Sequence, residues 1–271
     1  MARIDTPFGE LNVRELGNRP AGVVALHGFT QHGGSFEELA ELLPTGLAAV
    51  DLPGHGLSAV DPIDYRTTIS VVAEYFRSFD DAVDLIGYSQ GGRIALGLGL
   101  ECPGLIRSLM LISASPGIES LEQRRQRHSS DDRLAGRIEE GGIEAFVDEW
   151  LGLEIFAGLA QRSDDWRRRD RRLRLDNTAK GLAAALRGYG QGAQPYLGDR
   201  LSGLSVPTLF IAGADDAKYR SLAEQMAVSV PESAVALVDG AGHAVVGEQP
   251  VRVSELLQAW TDPLRGKLGG R

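Results

Sequence analysis

One cysteine in 271 residues, Cys102, leaves no partner for a disulfide and no thiolate set for a metal. No apolar run approaches the length of a membrane span. The start, MARIDTPFGELNVREL, is polar and acidic, with no basic region followed by an apolar one, so no secretory leader is expected there. Basic residues are outnumbered, 28 Lys and Arg against 37 Asp and Glu, and the net charge of −9 argues against general nucleic-acid binding. There is no internal repeat, no low-complexity segment, no clustered metal-ligand spacing and no phosphate-binding glycine loop. The expectation is a soluble cytoplasmic protein without metal or organic cofactor.

What is present is globular composition, 43% hydrophobic and 24% charged, at a length ordinary for one α/β domain. The charge is unevenly placed. Residues 115–195 hold 14 basic and 14 acidic side chains, so the rest of the chain carries the whole excess of nine.

Short apolar runs alternate with helical spacing. Leu11 to Leu16 reads as an edge strand, and Val23 to Leu26, Leu47 to Asp51, Ala82 to Ile86 and Leu109 to Ile112 as further strands. Phe36 to Leu43 and Thr68 to Phe79 read as helices. From Glu119 to about Tyr189 the periodicity is helical, charged and without a convincing strand. Strand signals return at Val206 to Ala212 and Ala234 to Val238, with helices at Tyr219 to Val228 and Val251 to Trp260, and 267–271 reads as a loose tail. The pattern predicts a mainly parallel sheet covered on both faces, with residues 1–114 and 196–271 as the core and 115–195 as an inserted helical lid.

The most specific motif is Gly87-Tyr88-Ser89-Gln90-Gly91, between a strand and a helix. That context makes Ser89 a candidate nucleophile at a sharp turn, with its hydroxyl projecting above the sheet. A serine hydroxyl needs a histidine, and the histidine an orienting acid. Of five histidines, His27 and His55 lie in glycine turns with a structural reading, and His32 and His128 have no supporting motif. His243, in Gly240-Ala241-Gly242-His243 between the last strand and the last helix, is the candidate base. The acid falls in Gly213-Ala214-Asp215-Asp216. Either aspartate fits; Asp216 is preferred, with Asp215 as the helix N-cap or turn residue. The backbone amides of Gln90 and Phe29 are the candidate oxyanion donors.

These residues resemble the α/β-hydrolase superfamily over essentially the whole chain. More narrowly, LHGFTQHGGSF, DLPGHGLS, GYSQGGRIAL, SASPGI followed by EQRRQR, the FVDEW segment, RLRLDNTAKGLAAAL and GADDAKY resemble the 2-succinyl-6-hydroxy-2,4-cyclohexadiene-1-carboxylate synthases of menaquinone biosynthesis. The resemblance implies an α/β-hydrolase fold and elimination of pyruvate from a small polycarboxylate, without added water. It also implies roles for Tyr88, Ser89, Arg93, Arg127, Trp150, Arg174, Asp216 and His243. Lys218 and Tyr219 fall in a matching stretch but receive no chemistry. Two departures stand out: Val246 where some relatives carry a second histidine, and Phe36 where a tryptophan is common.

The arginines make chemical sense, since a planar guanidinium pairs directionally with carboxylate. The competing reading for Arg127 and Arg174 is a solvated helix face, as Arg167-Arg168-Arg169 illustrates, and for Trp150 it is lid core. Two other functions use the same fold. A serine hydrolase would cut an ester or carbon–carbon bond of an anionic substrate, though a neutral ester does not need three cations. A non-catalytic small-molecule receptor would have less reason to keep Ser89, Asp216 and His243 together. Fold alone does not choose among the three.

Overall fold

The computed structural model describes residues 2–17, 21–61 and 64–262. The tail expected at 267–271 lies outside them.

The central strands are apolar on both faces because both faces are covered. They are β3 (Ala21–Leu26), β4 (Gly46–Val50), β6 (Val83–Tyr88), β7 (Ile106–Ile112) and β8 (Thr208–Gly213). Successive side chains point to opposite sides of a strand. Val24, Leu26, Leu85, Leu109 and Leu111 accordingly enter one core with helices α2 (Tyr65–Phe76), α3 (Gln90–Glu101) and α7 (Ala217–Ser229). Val23, Ala25, Ile86, Met110 and Ile112 enter the other, with α1 (Glu37–Glu41) and α9 (Pro250–Thr261).

With β1 at Ala2–Thr6, β2 at Gly9–Leu16 and β9 at Ser233–Val238, the sheet runs β1-β2-β4-β3-β6-β7-β8-β9, and the two-residue β5 (Ala59–Val60) pairs β2. From β4 to β9 it is parallel. The expected edge at Leu11 to Leu16 is instead interior. β2 (Gly9–Leu16) pairs antiparallel with β4 and with β1 (Ala2–Thr6), and β1 takes the edge. The short turn at Pro7-Phe8 permits this hairpin, and the polar alternation of Arg3 and Asp5 in β1 hid the strand from an apolar-run reading.

The chain passes from β3 to β4 on one side and then crosses to β6 on the other. A crevice therefore opens at the carboxyl ends of β3 and β6, where ligands bind in open α/β sheets.

Every described element between β7 and β8 is helical: α4 (Leu121–Leu151), broken at Gly142, a 3₁₀ helix at Glu154–Gln161, α5 (Asp164–Leu175), α6 (Ala179–Tyr189) and a 3₁₀ turn at Gly198–Gly203. Asn177 fastens this segment to the crevice. Its Nδ2 donates to Thr30 O at 2.7 Å, and its Oδ1 accepts from the Gly56 amide at 2.8 Å. Among the described residues no helix is long and apolar enough to cross a membrane.

Candidate active site

Ser89 joins β6 to α3 with φ 51° and ψ −106°, a left-handed backbone that costs a non-glycine residue about 1–3 kcal/mol. The turn is over-determined by its neighbours. The Ser89 amide donates to Ile112 O at 2.8 Å and the Gly91 amide to His27 O at 2.9 Å. A Cβ on Gly91 would lie 2.2 Å from Leu26 O, so only glycine lets α3 begin this close to β3.

The elbow meets two loops from the far side of the sheet. The Ser89 hydroxyl donates to His243 Nε2 at 3.1 Å, and His243 Nδ1–H donates to Asp216 Oδ2 at 3.0 Å. Asp216 also caps α7, its Oδ1 accepting from the Tyr219 amide at 3.1 Å. Of the two readings of Asp215, helix N-cap or turn residue, the structure has the turn residue, and Asp216 is both the cap and the partner of His243. Asp215 is exposed, and its backbone amide donates to Ala241 O at 3.0 Å, tying the acid loop to the histidine loop. Burial pushes the Asp216 carboxyl upward, but bonds from His243 and the Tyr219 amide and the Lys218 charge outweigh it, leaving its pKa below the ordinary carboxylate value. Tyr219, Tyr88 and Phe156 wall the imidazole, with ring centroids 4.4, 5.8 and 6.3 Å away.

The Phe29 and Gln90 backbone amides have no acceptor among the described residues, leaving two free donors near the elbow. The loop carrying Phe29 is held by His27, whose Nδ1 lies 2.8 Å from Gly28 O while Nε2 accepts from the Leu52 amide at 3.0 Å. His55 packs edge-on to Phe29 and to His27. Burial pushes the pKa of both histidines down, His55 to about 4, consistent with their structural reading. His32 caps the 3₁₀ turn Gly33–Phe36.

A cavity of about 240 Å³ opens over Ser89 and His243. Phe29, Tyr88, Gln90, Arg93, Arg127, Trp150 and Arg174 all line it; Asp216 stands behind His243. The three arginines differ in their pairing. Arg174, almost fully buried, donates to Asp170 at 2.8 Å and to the Thr30 hydroxyl. Arg127 donates to Asp131 at 2.7 Å and to Gln191. Arg93, 8% exposed, donates to Tyr189 O at 3.2 Å and Gln194 Oε1 at 3.1 Å, and among the described residues no carboxylate is in bonding range. Burial accordingly lowers its pKa.

Trp150 packs as a core residue and also faces the cavity. It packs on Phe29, Phe146 and Phe156, with centroids 5.3 to 5.7 Å apart, and it lines the cavity with its indole N–H buried and unpartnered.

Among the lining groups that the sequence does not single out, two polar ones stand out. The Gln90 side chain is buried with both amide atoms unpartnered, although only its backbone had been given a role. Lys218 faces the cavity from α7, its Nζ 5.2 Å from the Tyr219 ring centre. Burial and the nearby Arg127 lower its pKa. The lysine stood in a recognised stretch, whereas nothing local marks the orientation of Gln90.

The arrangement can hold a polyanion over a hydroxyl whose proton has a base to go to. Residues 23–256 match the alpha/beta hydrolase family. A putative 2-succinyl-6-hydroxy-2,4-cyclohexadiene-1-carboxylate synthase of Bacillus subtilis is 38% identical over 240 residues, covering 86% of this chain and 87% of that one. The synthase of Escherichia coli is 30% identical over 234 residues, 85% of this chain and 90% of its own. Among solved structures, MenH from S. aureus superposes with a TM-score of 0.87 at 28% identity, over 94% of this chain and 98% of that one. An esterase from Thermogutta terrifontis superposes at 0.80 with 25% identity, over 96% and 97%. The chain belongs to the alpha/beta hydrolase family, in the branch that holds these synthases.

Proposed function

We propose that this protein is a carbon–oxygen lyase of menaquinone biosynthesis. It eliminates pyruvate from 2-succinyl-5-enolpyruvyl-6-hydroxy-3-cyclohexene-1-carboxylate to give 2-succinyl-6-hydroxy-2,4-cyclohexadiene-1-carboxylate. The observation that carries the reading is the cavity itself: Arg93, Arg127, Arg174 and Lys218 face the space above Ser89 in a chain of net charge −9. Among the described residues Arg93 has no carboxylate of its own, and a buried unpaired charge favours an anionic ligand. The names of the relatives point to the same chemistry.

Ser89, His243 and Asp216 act as a triad. His243, oriented by Asp216, draws the proton from Ser89, and the serine oxygen removes the proton on the ring carbon that bears the succinyl group. The C–H electrons form the first ring double bond, the existing double bond shifts by one position, and the carbon–oxygen bond to the enolpyruvyl group breaks. The leaving enolate takes a proton from solvent on its methylene carbon and departs as pyruvate, while His243 gives up to solvent the proton it drew from Ser89. Negative charge developing on the succinyl carbonyl is stabilised by the Phe29 and Gln90 amides. The arginines and Tyr88, with Trp150 above, hold the ring so that the breaking C–H bond meets Ser89. Segment 115–195 serves as the lid.

The test is pyruvate release from the enolpyruvyl substrate, measured beside p-nitrophenyl ester hydrolysis. Ser89→Ala is expected to lower kcat by roughly a thousandfold or more with KM little changed. Mass spectrometry during turnover is expected to find no adduct on Ser89. The likeness to an esterase and the Ser89–His243 bond favour a second reading, a serine hydrolase of an anionic substrate. Ester turnover through a Ser89 adduct without pyruvate release would select it.

A further inference from the structure

His243 sits on a short connection between β9 and the four-residue helix α8 (Val245–Glu248). Such a loop has little of its own to fix it, yet the imidazole must meet Ser89 and Asp216 at once. Its main-chain tethers are unusual. The peptide N–H groups on either side of His243, those of Gly242 and Ala244, both donate to the carboxylate of Glu248, one to each oxygen, the second at 3.1 Å. On the other side, the Ser113 hydroxyl donates to His243 O at 3.0 Å.

Glu248 is half-buried, and among the described residues no cation lies in ion-pair range of it. Its charge is satisfied by the two flanking amides, and bonds from peptide N–H to an ionised carboxylate are about twice as strong as neutral ones.

The same carboxylate is covered by the helical segment. A Cβ built on Gly158, in the 3₁₀ helix Glu154–Gln161, would lie 2.5 Å from Glu248 Oε2 and 2.9 Å from Oε1. A methyl group there would press on the carboxylate, which would have to shift. Phe156 of the same helix packs on the His243 ring, and Leu159 packs with Ala244. The helix thus touches the histidine loop at the ring, at the backbone and at the carboxylate that holds the backbone.

We propose that Glu248 is the positioning residue of His243 and the point where the helical segment over the cavity bears on the catalytic base. When the 3₁₀ helix is seated, Gly158 closes over the carboxylate and both tethers hold. If the helix is displaced, the carboxylate gains solvent and the histidine loop loosens. The proposal rests on the reading of Ser89, His243 and Asp216 as the catalytic set.

Three variants test it: His243→Ala, Glu248→Gln and Gly158→Ala, each assayed for pyruvate release and p-nitrophenyl ester hydrolysis. Glutamine keeps one acceptor but turns an NH₂ group against the second peptide N–H. Glu248→Gln is expected to lower kcat by roughly 10- to 100-fold, the scale of a misplaced catalytic group, with KM within about twofold of wild type. Gly158→Ala, which pushes a methyl group into the carboxylate, is expected to lower kcat in the same way by about tenfold. In both, the low-field proton signal of His243 Nδ1–H should broaden or shift while the unfolding midpoint stays close to wild type. His243→Ala inactive, with wild-type kcat in both other variants, overturns the positioning role and leaves the triad standing. His243→Ala active overturns the triad reading itself. A loss confined to KM also overturns the proposal. Should Glu248→Gln fail to fold, an unchanged kcat in Gly158→Ala is sufficient to overturn it.

Discussion

Arg93 holds a positive charge in a buried position, and among the described residues a carbonyl and an amide oxygen alone receive it. Its two companions are different, because Arg127 and Arg174 have Asp131 and Asp170 beside them. The difference predicts separable effects. Each alanine variant is expected to raise KM, by about 2–4 kcal/mol in kcat/KM where a desolvated charge pair to substrate is lost. Arg174→Ala also strands the buried Asp170, and breaking a buried pair on one side costs about 3–5 kcal/mol of stability. Arg93→Ala strands no carboxylate, so its melting temperature should fall less than that of Arg174→Ala. Steady-state kinetics beside thermal unfolding of the two variants checks the contrast; equal losses of stability would contradict it.

At the scale of elements, the site is a set of turns held in tight register. The elbow depends on α3 starting against β3, with room at Gly91 for a hydrogen and no more. Gly91→Ala should cost about 3 kcal/mol or more, because the obstructing atom is a backbone carbonyl that cannot move aside; denaturant unfolding measures it. The loops after β3 and β4 are held by neutral histidines. An unfolded imidazole titrates near 6.5, whereas burial pushes that of His55 to about 4. Between those values the unfolded chain binds a proton that the native chain does not. The His55 contribution is therefore complete above about pH 6.5 and is lost as pH falls toward 4, a change of about 3 kcal/mol. His27 is shifted the same way by burial and by His55. Unfolding free energies at pH 7, 5.5 and 4.5 should decline in that order, and His55→Asn, which keeps a donor for Pro53 O, should flatten the decline.

At the scale of the molecule, the helical segment is fastened to the core by polar contacts as well as by apolar packing. Glu38 on α1 accepts from Arg162 at 2.6 Å and from the Trp166 indole at 2.7 Å, and Arg169 pairs with Glu37. Arg162 and Glu38 are partly exposed, so the pair is worth little to global stability, about 1 kcal/mol or less. Its effect should be local. Glu38→Ala is expected to raise amide exchange across 154–175 while leaving exchange in β3, β6 and β7 unchanged. Faster exchange in those strands as well would show that the segment and the sheet open together.

Much of this architecture follows from local pattern. The apolar runs of β3, β6, β7 and β8, the Ser89 elbow and the positions of Asp216 and His243 on loops after late strands are all legible along the chain, because a parallel sheet brings loops after its strands to one edge. Even the partners of two arginines are legible: Arg127 and Asp131, and Arg174 and Asp170, stand four apart on helices. Other features are not local. β1 is a polar-patterned edge strand made by its hairpin partner. Asp216 and not Asp215 turns toward His243, while the Asp215 amide ties the acid loop to Ala241 O. The partners of Arg93 lie 96 and 101 residues away, and the Gly158 that covers Glu248 comes from a different layer. Periodicity reports which face of an element is buried. Which charge is then left without a counter-charge, and which loop is held still, depends on groups that only the folded chain brings together.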